Sequence, residues 1–211
     1  KYINDGGPPI MWTLVGLFVI GLAITLWRLV VILLAMMSTK SLYKKVFTTL
    51  REPEHGLEKA SELCANTPGP VATIIHAGLS RVHNGINHVE RAVENAGAVE
   101  MAFLENGLVW LATIANIAPL IGFFGTVAGM IKAFRDIAAA GDVEPSVVAS
   151  GISIALITTA GGLLVAIPIQ TAYNLCVYLI DRIVMSMEEN ASIFIDTLVD
   201  LGYDRPSPGS E

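Results

Sequence analysis

The sequence has little charge and few residues that could carry metal or redox chemistry. Only 15% of its 211 residues are charged, whereas 53% are hydrophobic, and the mean hydropathy is +0.60. This composition is far from that of a soluble globular domain. The two cysteines, Cys64 and Cys176, have no Cys or His partner at a metal-binding spacing. The composition therefore predicts an integral membrane protein with no metal centre and no cofactor.

The charge distribution and the histidines exclude further classes. The formal net charge is −6, and no basic stripe with interleaved aromatic residues is present, so nucleic-acid binding has no electrostatic basis. The four histidines are His55, His76, His83 and His88. None pairs with another at i, i+4, which favours solvated or core histidines over metal ligands. The membrane segments also lack an Asp pair or a Ser–base pair, so an enzyme is not expected.

Three long uncharged runs predict three transmembrane helices. They cover residues 10–27, 107–131 and 147–180, and about 20 apolar residues are enough to cross the hydrocarbon layer. The first run is too long for a signal peptide and lacks a small-residue cleavage site, so we expect it to stay as an anchor. Arg28 directly follows it and is expected to extend to the lipid head groups.

The basic residues predict the orientation of the first helix. Lys40, Lys44, Lys45 and Arg51 follow the first span, and only Lys1 precedes it. Because Lys and Arg are enriched in cytoplasmic segments, we expect the N-terminus to lie outside and this cluster inside. Lys132 and Arg135 run locally against this rule.

These patterns predict seven segments. The breaker Asn66–Pro70 should divide two cytoplasmic helices, and apolar residues at helical spacing after His88 predict a helix that continues unbroken into the second span. The predicted segments are a periplasmic N-terminus at 1–9, a first transmembrane helix at 10–37, a cytoplasmic helical domain at 38–103, a second transmembrane helix at 104–137, a periplasmic turn at 138–146, a third transmembrane helix with a cytoplasmic extension at 147–196, and a flexible cytoplasmic tail at 197–211.

The second and third spans carry two threonines at matching depth. Thr126 lies 12 residues before the predicted turn and Thr159 lies 13 residues after it. In an antiparallel hairpin both hydroxyls then lie roughly 18 to 20 Å from the outer end, near mid-membrane. Pro119 and Pro168 also fall at similar depths, where each permits a kink.

Small residues form a matching face on each helix of this hairpin. They recur at spacings of three and four and include Gly122, Gly125, Gly129, Gly151 and Gly162. Such faces let two helix backbones approach closely. The threonines could equally be structural, because a Thr hydroxyl in a membrane helix can bond to its own helix carbonyls. Pattern alone leaves packing and a polar pathway both open.

The interiors of the three spans contain no Asp, Glu, His, Lys or Arg. A threonine hydroxyl can orient water or a carboxyl group, but it does not titrate in the useful range. If this protein handles protons, the titrating group must therefore come from another chain.

Two segments carry a family resemblance. LATIANIAPLIGFFGTVAGMIKAF, followed by GISIALITTAGGLLVAIPIQTAYN, resembles the signature of the MotA/TolQ/ExbB proton-channel family. Three spans with a cytoplasmic domain after the first resemble ExbB, and next TolQ, rather than four-span MotA. The resemblance implies a homopentamer of long helices around a central pore, which holds a single-span partner dimer like ExbD or TolR.

The resemblance also implies roles for individual residues. Thr126 and Thr159, with the neighbouring Thr158, would line the pore opposite the partner's aspartate. Ile154 departs from the family pattern, because many ExbB and TolQ sequences have Glu at this place in the third helix. A proton route that requires this Glu cannot operate here.

The implied function is a subunit of a proton-driven motor in the bacterial inner membrane. An ExbB-like protein would energise TonB-dependent outer-membrane transport together with its partner. A TolQ-like role in envelope maintenance, or a gliding motor, is the alternative within the family. A structural membrane scaffold, whose glycine faces serve assembly only, is the alternative outside it.

Overall fold

The computed structural model describes residues 8–51, 55–140 and 145–203, and its regular structure within these ranges is entirely helical. The helices are α1 Pro8–Leu50, α2 Gly56–Ala65, α3 Pro70–Leu79, α4 Ile86–Glu105, α5 Leu108–Ala140 and α6 Pro145–Asp200, with a 3₁₀ turn at Val82–Asn84 between α3 and α4. The predicted all-α class is therefore confirmed.

Three stretches of the described helices are long and apolar enough to cross a membrane. They are Pro9–Met36, Val148–Asp200 and Ile86–Ala139, the last of which includes the end of α4 and the start of α5. Because the bilayer core offers no partner for backbone polar groups, apolar helices of this length are suited to span it. The number of predicted spans is confirmed, and the chain is a multi-pass membrane protein.

Several predicted boundaries differ from the helix ends. α1 continues to Leu50, well past residue 37. α6 ends at Asp200, so the first residues assigned to the tail are helical, and Leu198 is fully buried. Most of the predicted N-terminal segment, the centre of the predicted turn and the tail from residue 204 lie outside the described residues.

The expectation of an unbroken helix into the second span is wrong. α4 ends at Glu105, and Asn106 has an extended ψ of 134°. Gly107 follows with φ +85°, a left-handed conformation that only glycine adopts at low cost. The backbone therefore turns between α4 and α5, although the apolar periodicity continues across the turn.

The chain divides into two compact units. The first comprises Lys1–Arg28 and Gly107–Cys176, and the second comprises Leu29–Asn106 and Val177–Glu211. In the first unit, the start of α1 packs against both helices of the α5–α6 hairpin. The core of this contact consists of Met11, Leu14, Ala118, Val165 and Ala166. Further along α1, a Cβ added at Gly21 would lie 2.7 Å from Ile169 Cδ1.

The second unit contains the smaller helices and the end of α6. The predicted break holds here, because α2 ends at Ala65 and α3 begins at Pro70. Phe194 is fully buried, and its ring packs so closely on α3 that a Cβ at Gly78 would lie 2.6 Å from Cε1. Nearby, the Ser61 hydroxyl and His76 Nδ1 are hydrogen-bonded at 3.3 Å.

Candidate functional site

The α5–α6 hairpin has a tight seam formed by glycines on both helices. A Cβ at Gly122 would lie 2.8 Å from the carbonyl oxygen of Thr158, and a Cβ at Gly162 would lie 2.7 Å from that of Ala118. Real side chains essentially never approach this closely, so only glycine fits at these positions. We call this contact surface the glycine seam.

The glycine seam continues along the hairpin toward the α5–α6 connection. Gly129 and Gly151 face each other across the seam, since a Cβ built at Gly129 would lie 3.3 Å from the carbonyl oxygen of Gly151. A Cβ at Gly151 would instead collide with the Ala133 methyl group. Both glycines therefore lie where the two helix backbones approach each other.

Thr158 lies inside the glycine seam. Its side chain is 0% exposed, and a Cβ at Gly125 would lie 2.5 Å from Thr158 Cβ. Its hydroxyl donates to the carbonyls of Ile154 and Ala155 in its own helix, at 3.1 and 2.8 Å. Thr158 therefore packs against α5 and is closed off from any pore, which corrects its assignment to the pore lining.

Thr126 and Thr159 lie beside the glycine seam and are both partly exposed. The Thr159 hydroxyl donates across the hairpin to the carbonyl oxygen of Gly122 over 3.4 Å. The Thr126 hydroxyl donates to Phe123 in its own helix at 2.6 Å. Gly122 lies about one turn, or roughly 6 Å, before Thr126 in α5, so the hairpin brings the two threonines within about one turn of each other.

The first helix packs on the opposite side of this hairpin. Gly161 faces α1, because a Cβ there would lie 3.3 Å from Met11 Sδ, and Val165 belongs to the same apolar core. Gly161 lies about 200° around α6 from Thr159, and Val165 about 240°. Within one chain, α1 thus covers one face of the hairpin and leaves the threonine face open.

The remaining predicted site residues lie along the same hairpin. Pro119 and Pro168 are inside α5 and α6, and both helices continue through them. Ile154, at the position where relatives of the family often have Glu, is partly exposed. It lines a pocket of about 240 Å³ together with Lys132, Asp136 and Ser150. The sequence analysis did not foresee this pocket.

Arg28 and one amide pair also differ from the sequence-based expectations. Arg28 is only 5% exposed, with its Cδ 3.4 Å from a Cβ built at Gly107. The expected extension to head groups is therefore wrong, because the arginine side chain is buried and lies against the backbone at Gly107. Gln170 and Asn174, which sequence reasoning passed over, are hydrogen-bonded at 3.1 Å in α6. Their i, i+4 spacing was the available signal.

Comparison with known proteins identifies the family of this hairpin. Residues 66–189 match the family model described as the MotA/TolQ/ExbB proton channel family. This region covers more than half of the chain and contains all the candidate site residues. The chain belongs to the MotA/TolQ/ExbB family.

Individual relatives carry the names ExbB and TolQ. An ExbB homolog of Methanothermobacter thermautotrophicus is 39% identical over 105 residues, covering 50% of this chain and 37% of that protein. The Tol-Pal system protein TolQ of Haemophilus influenzae is 46% identical over 84 residues, covering 40% and 37%. The biopolymer transport protein ExbB of Pseudomonas putida is 36% identical over 128 residues, covering 56% and 39%. The matched part of the chain thus spans less than half the length of these relatives.

Proposed function

We propose that this chain is an ExbB-like subunit of a proton-driven motor in the bacterial inner membrane. In this proposal it assembles as a homopentamer around a single-span partner dimer like ExbD or TolR. The motor uses the proton motive force to energise TonB-dependent outer-membrane transport. The N-terminus is periplasmic and the C-terminus cytoplasmic, as the positive-inside bias suggests.

The observation that carries this proposal is the open threonine face. Thr126 and Thr159 lie within about one turn of each other in a hairpin whose spans contain no Asp, Glu, Lys, Arg or His side chain. Their hydroxyls can orient water or a carboxyl group but cannot themselves hold a proton at neutral pH. A ring of such hairpins therefore suits a pore whose titrating carboxylate belongs to the partner, and it agrees with the family assignment.

The available driving force is sufficient for mechanical work. Moving one charge through about 180 mV is worth roughly 4 kcal/mol, since 100 mV corresponds to about 2.3 kcal/mol. Alternate protonation and release of the two partner carboxylates, opposite the threonine ring, would rotate or shift the dimer within the pentamer. The rigid glycine seam would hold each threonine pair in place during this movement.

The central test removes the hydroxyls and keeps the side-chain shape. The complex with its partner is reconstituted into vesicles, and proton uptake under an imposed membrane potential is followed with a pH-sensitive dye. We expect Thr126→Val and Thr159→Val to lower the proton flux about tenfold while assembly is unchanged. Thr113→Val and Thr171→Val are matched controls, because these exposed hydroxyls bond only to their own helix, at 2.7 and 2.8 Å. An intact pentamer with normal flux in both test variants would favour the structural scaffold instead.

A second candidate function rests on the TolQ relatives. The Haemophilus influenzae relative is named as a Tol-Pal system protein, so a TolQ-like role in envelope maintenance is the alternative, and a gliding motor is a further one. Complementation distinguishes the first two. Restored TonB-dependent uptake in a strain lacking ExbB supports the main proposal, whereas restored detergent resistance in a strain lacking TolQ, without restored uptake, supports the alternative.

A further inference from the structure

The half of α5 nearest the α5–α6 connection carries an exposed apolar stripe that leads to two basic residues. A groove of about 340 Å³ lies here, and its described lining residues all belong to α5. Its apolar part includes Phe124, Val127 and Ile131, which are 64%, 43% and 48% exposed. Lys132 and Arg135 line the same groove and are also exposed. These two basic residues run against the positive-inside rule, and the threonine site gives them no role. We call this surface the α5 stripe.

The α5 stripe lies on the side of the helix that faces away from α6. Since each residue turns the helix by about 100°, Ile131 and Arg135 both lie within about 20° of the direction of Phe124. Gly125 and Gly129, at which a built Cβ would contact α6, lie about 100° and 140° from that direction. The glycine seam therefore leaves the stripe uncovered, as the exposure of its side chains shows.

The depth of the α5 stripe matches one leaflet of a bilayer. Arg135, Lys132 and Phe124 lie roughly 5, 9 and 21 Å from the predicted turn at 138–146. With Thr126 near mid-membrane, this turn lies at the outer edge of the head groups, which occupy roughly 5 to 8 Å on each side of a hydrocarbon core of about 30 Å. Arg135 thus lies among the head groups, and Lys132 reaches them by extending its side chain. The apolar residues of the stripe lie beside the acyl chains.

The charges of the α5 stripe match a negatively charged head group. A guanidinium such as that of Arg135 can donate two parallel hydrogen bonds to phosphate oxygens, and Lys132 adds a compact positive charge. A zwitterionic lipid also offers a phosphate, but its ammonium group would be repelled by these two cations. Asp136 borders the groove, yet it lies about 100° around the helix from Arg135, on the side toward α6. Asp142 and Glu144 lie outside the described residues.

We propose that the α5 stripe binds an anionic phospholipid of the leaflet at the α5–α6 connection. Arg135 and Lys132 hold its phosphate, and one acyl chain lies along Ile131, Val127 and Phe124. The lipid covers the apolar face of α5 that the hairpin leaves exposed. This site gives the two basic residues a role at an end of the spans where the positive-inside rule disfavours them.

The first test compares two photoreactive phospholipids that differ only in head group. The assembled complex is reconstituted into phosphatidylcholine vesicles that contain a small fraction of phosphatidylglycerol or phosphatidylcholine with a diazirine in its acyl chain. Adducts formed on illumination are located by mass spectrometry. We expect phosphatidylglycerol to label residues 124–131 at least about fivefold more than phosphatidylcholine does. The measurement involves no proton flux, so its outcome is independent of the proposed function.

Three outcomes of this labelling would overturn the proposal. Equal labelling by the two lipids would show that the stripe does not select a head group. Selective labelling confined to other helices would place the lipid site elsewhere. If neither lipid labels residues 124–131, a second copy of the chain or the partner covers the stripe in the complex.

Variants assign the selectivity to the two basic residues. Lys132→Gln and Arg135→Gln should each lower labelling by phosphatidylglycerol about fivefold, whereas Arg135→Lys keeps the charge and should retain most of it. Asp136→Asn removes a nearby negative charge and should raise it. The control is Arg91→Gln, which removes one positive charge at an exposed position of α4 in the second compact unit. Unchanged labelling in both glutamine variants of the stripe would overturn the proposal, as would an equal loss in the control.

Discussion

The glycine seam predicts that one methyl group at Gly125 destabilises the hairpin. In Gly125→Ala, the new Cβ would lie 2.5 Å from Thr158 Cβ, 2.6 Å from Oγ1 and 2.9 Å from Cγ2. Carbon atoms in good contact are about 3.5 to 4.0 Å apart, so the helices must separate by about 1 Å locally. A different Thr158 rotamer cannot relieve the overlap, because Cβ is fixed by the backbone of α6.

The expected size follows from two opposing terms. Overpacking a tight interface costs about 1 to 3 kcal/mol, whereas replacing a helical glycine with alanine gains up to about 1 kcal/mol. We expect a net loss of about 1 to 2 kcal/mol in the free energy of unfolding. Gly16→Ala in α1 is the matched control, since nothing lies within 4 Å of its added Cβ, and it should be neutral or stabilising.

Unfolding in mixed micelles, followed by circular dichroism against the mole fraction of denaturing detergent, measures these differences. A rescue variant makes the test specific. Thr158→Gly removes the atoms that collide at Gly125, so the double variant should be less destabilised than the sum of the single variants by about 1 kcal/mol or more. It should not rescue Gly122→Ala, whose closest contact is the backbone oxygen of Thr158. If Gly125→Ala behaves like Gly16→Ala, or if the double variant is additive, the seam is not as close as described.

Two further predictions concern single positions outside the seam. Gly107→Ala should lower the free energy of unfolding by about 1 to 2 kcal/mol, because φ is +85° and a residue with a Cβ is strained there. Gly97→Ala in α4 is the control, since nothing lies near its added Cβ, and it should be neutral or stabilising in the same unfolding assay. Equal effects of the two variants would contradict the role of the turn. Burial raises the pKa of the Cys64 thiol to about 11. At pH 8 this thiol should therefore be alkylated at least about a hundredfold more slowly in the folded protein than after denaturation, as measured by mass spectrometry. Equal alkylation rates in the two states would contradict its burial.

Sequence patterns were sufficient for the main elements because their signals are strong and local. Uncharged runs longer than the bilayer core predict spans whatever the tertiary packing, and the prolines at 68 and 70 end one helix and begin another. The depth match of Thr126 and Thr159 needs only an antiparallel hairpin with a short connection. Each of these inferences depends on counting along the chain.

The wrong expectations depend on which way a residue faces. Thr158 and Thr159 are neighbours about 100° apart on α6, and sequence cannot tell which one enters the seam until the facing helix is in place. The same holds for Arg28, whose burial against the backbone at Gly107 depends on how α1 packs on the hairpin. The break before α5 had a local signal in the Asn106–Gly107 dipeptide, which is typical of turns, but the continuous apolar periodicity outweighed it.

The glycine seam and the threonine face are parts of one structure. The Thr159 hydroxyl reaches the Gly122 carbonyl across the hairpin only because no side chain at Gly122 or Gly162 separates the two backbones. The glycines thus fix the spacing of the two hydroxyls, although they carry no polar side chain themselves. The side chains of Met11 and Leu14 in α1 pack on the opposite face of the hairpin. The first helix therefore supports the hairpin and leaves its polar face open. In the proposed motor this division lets a rigid wall present hydroxyls to a moving carboxylate, so the wall guides the proton while the partner carries it.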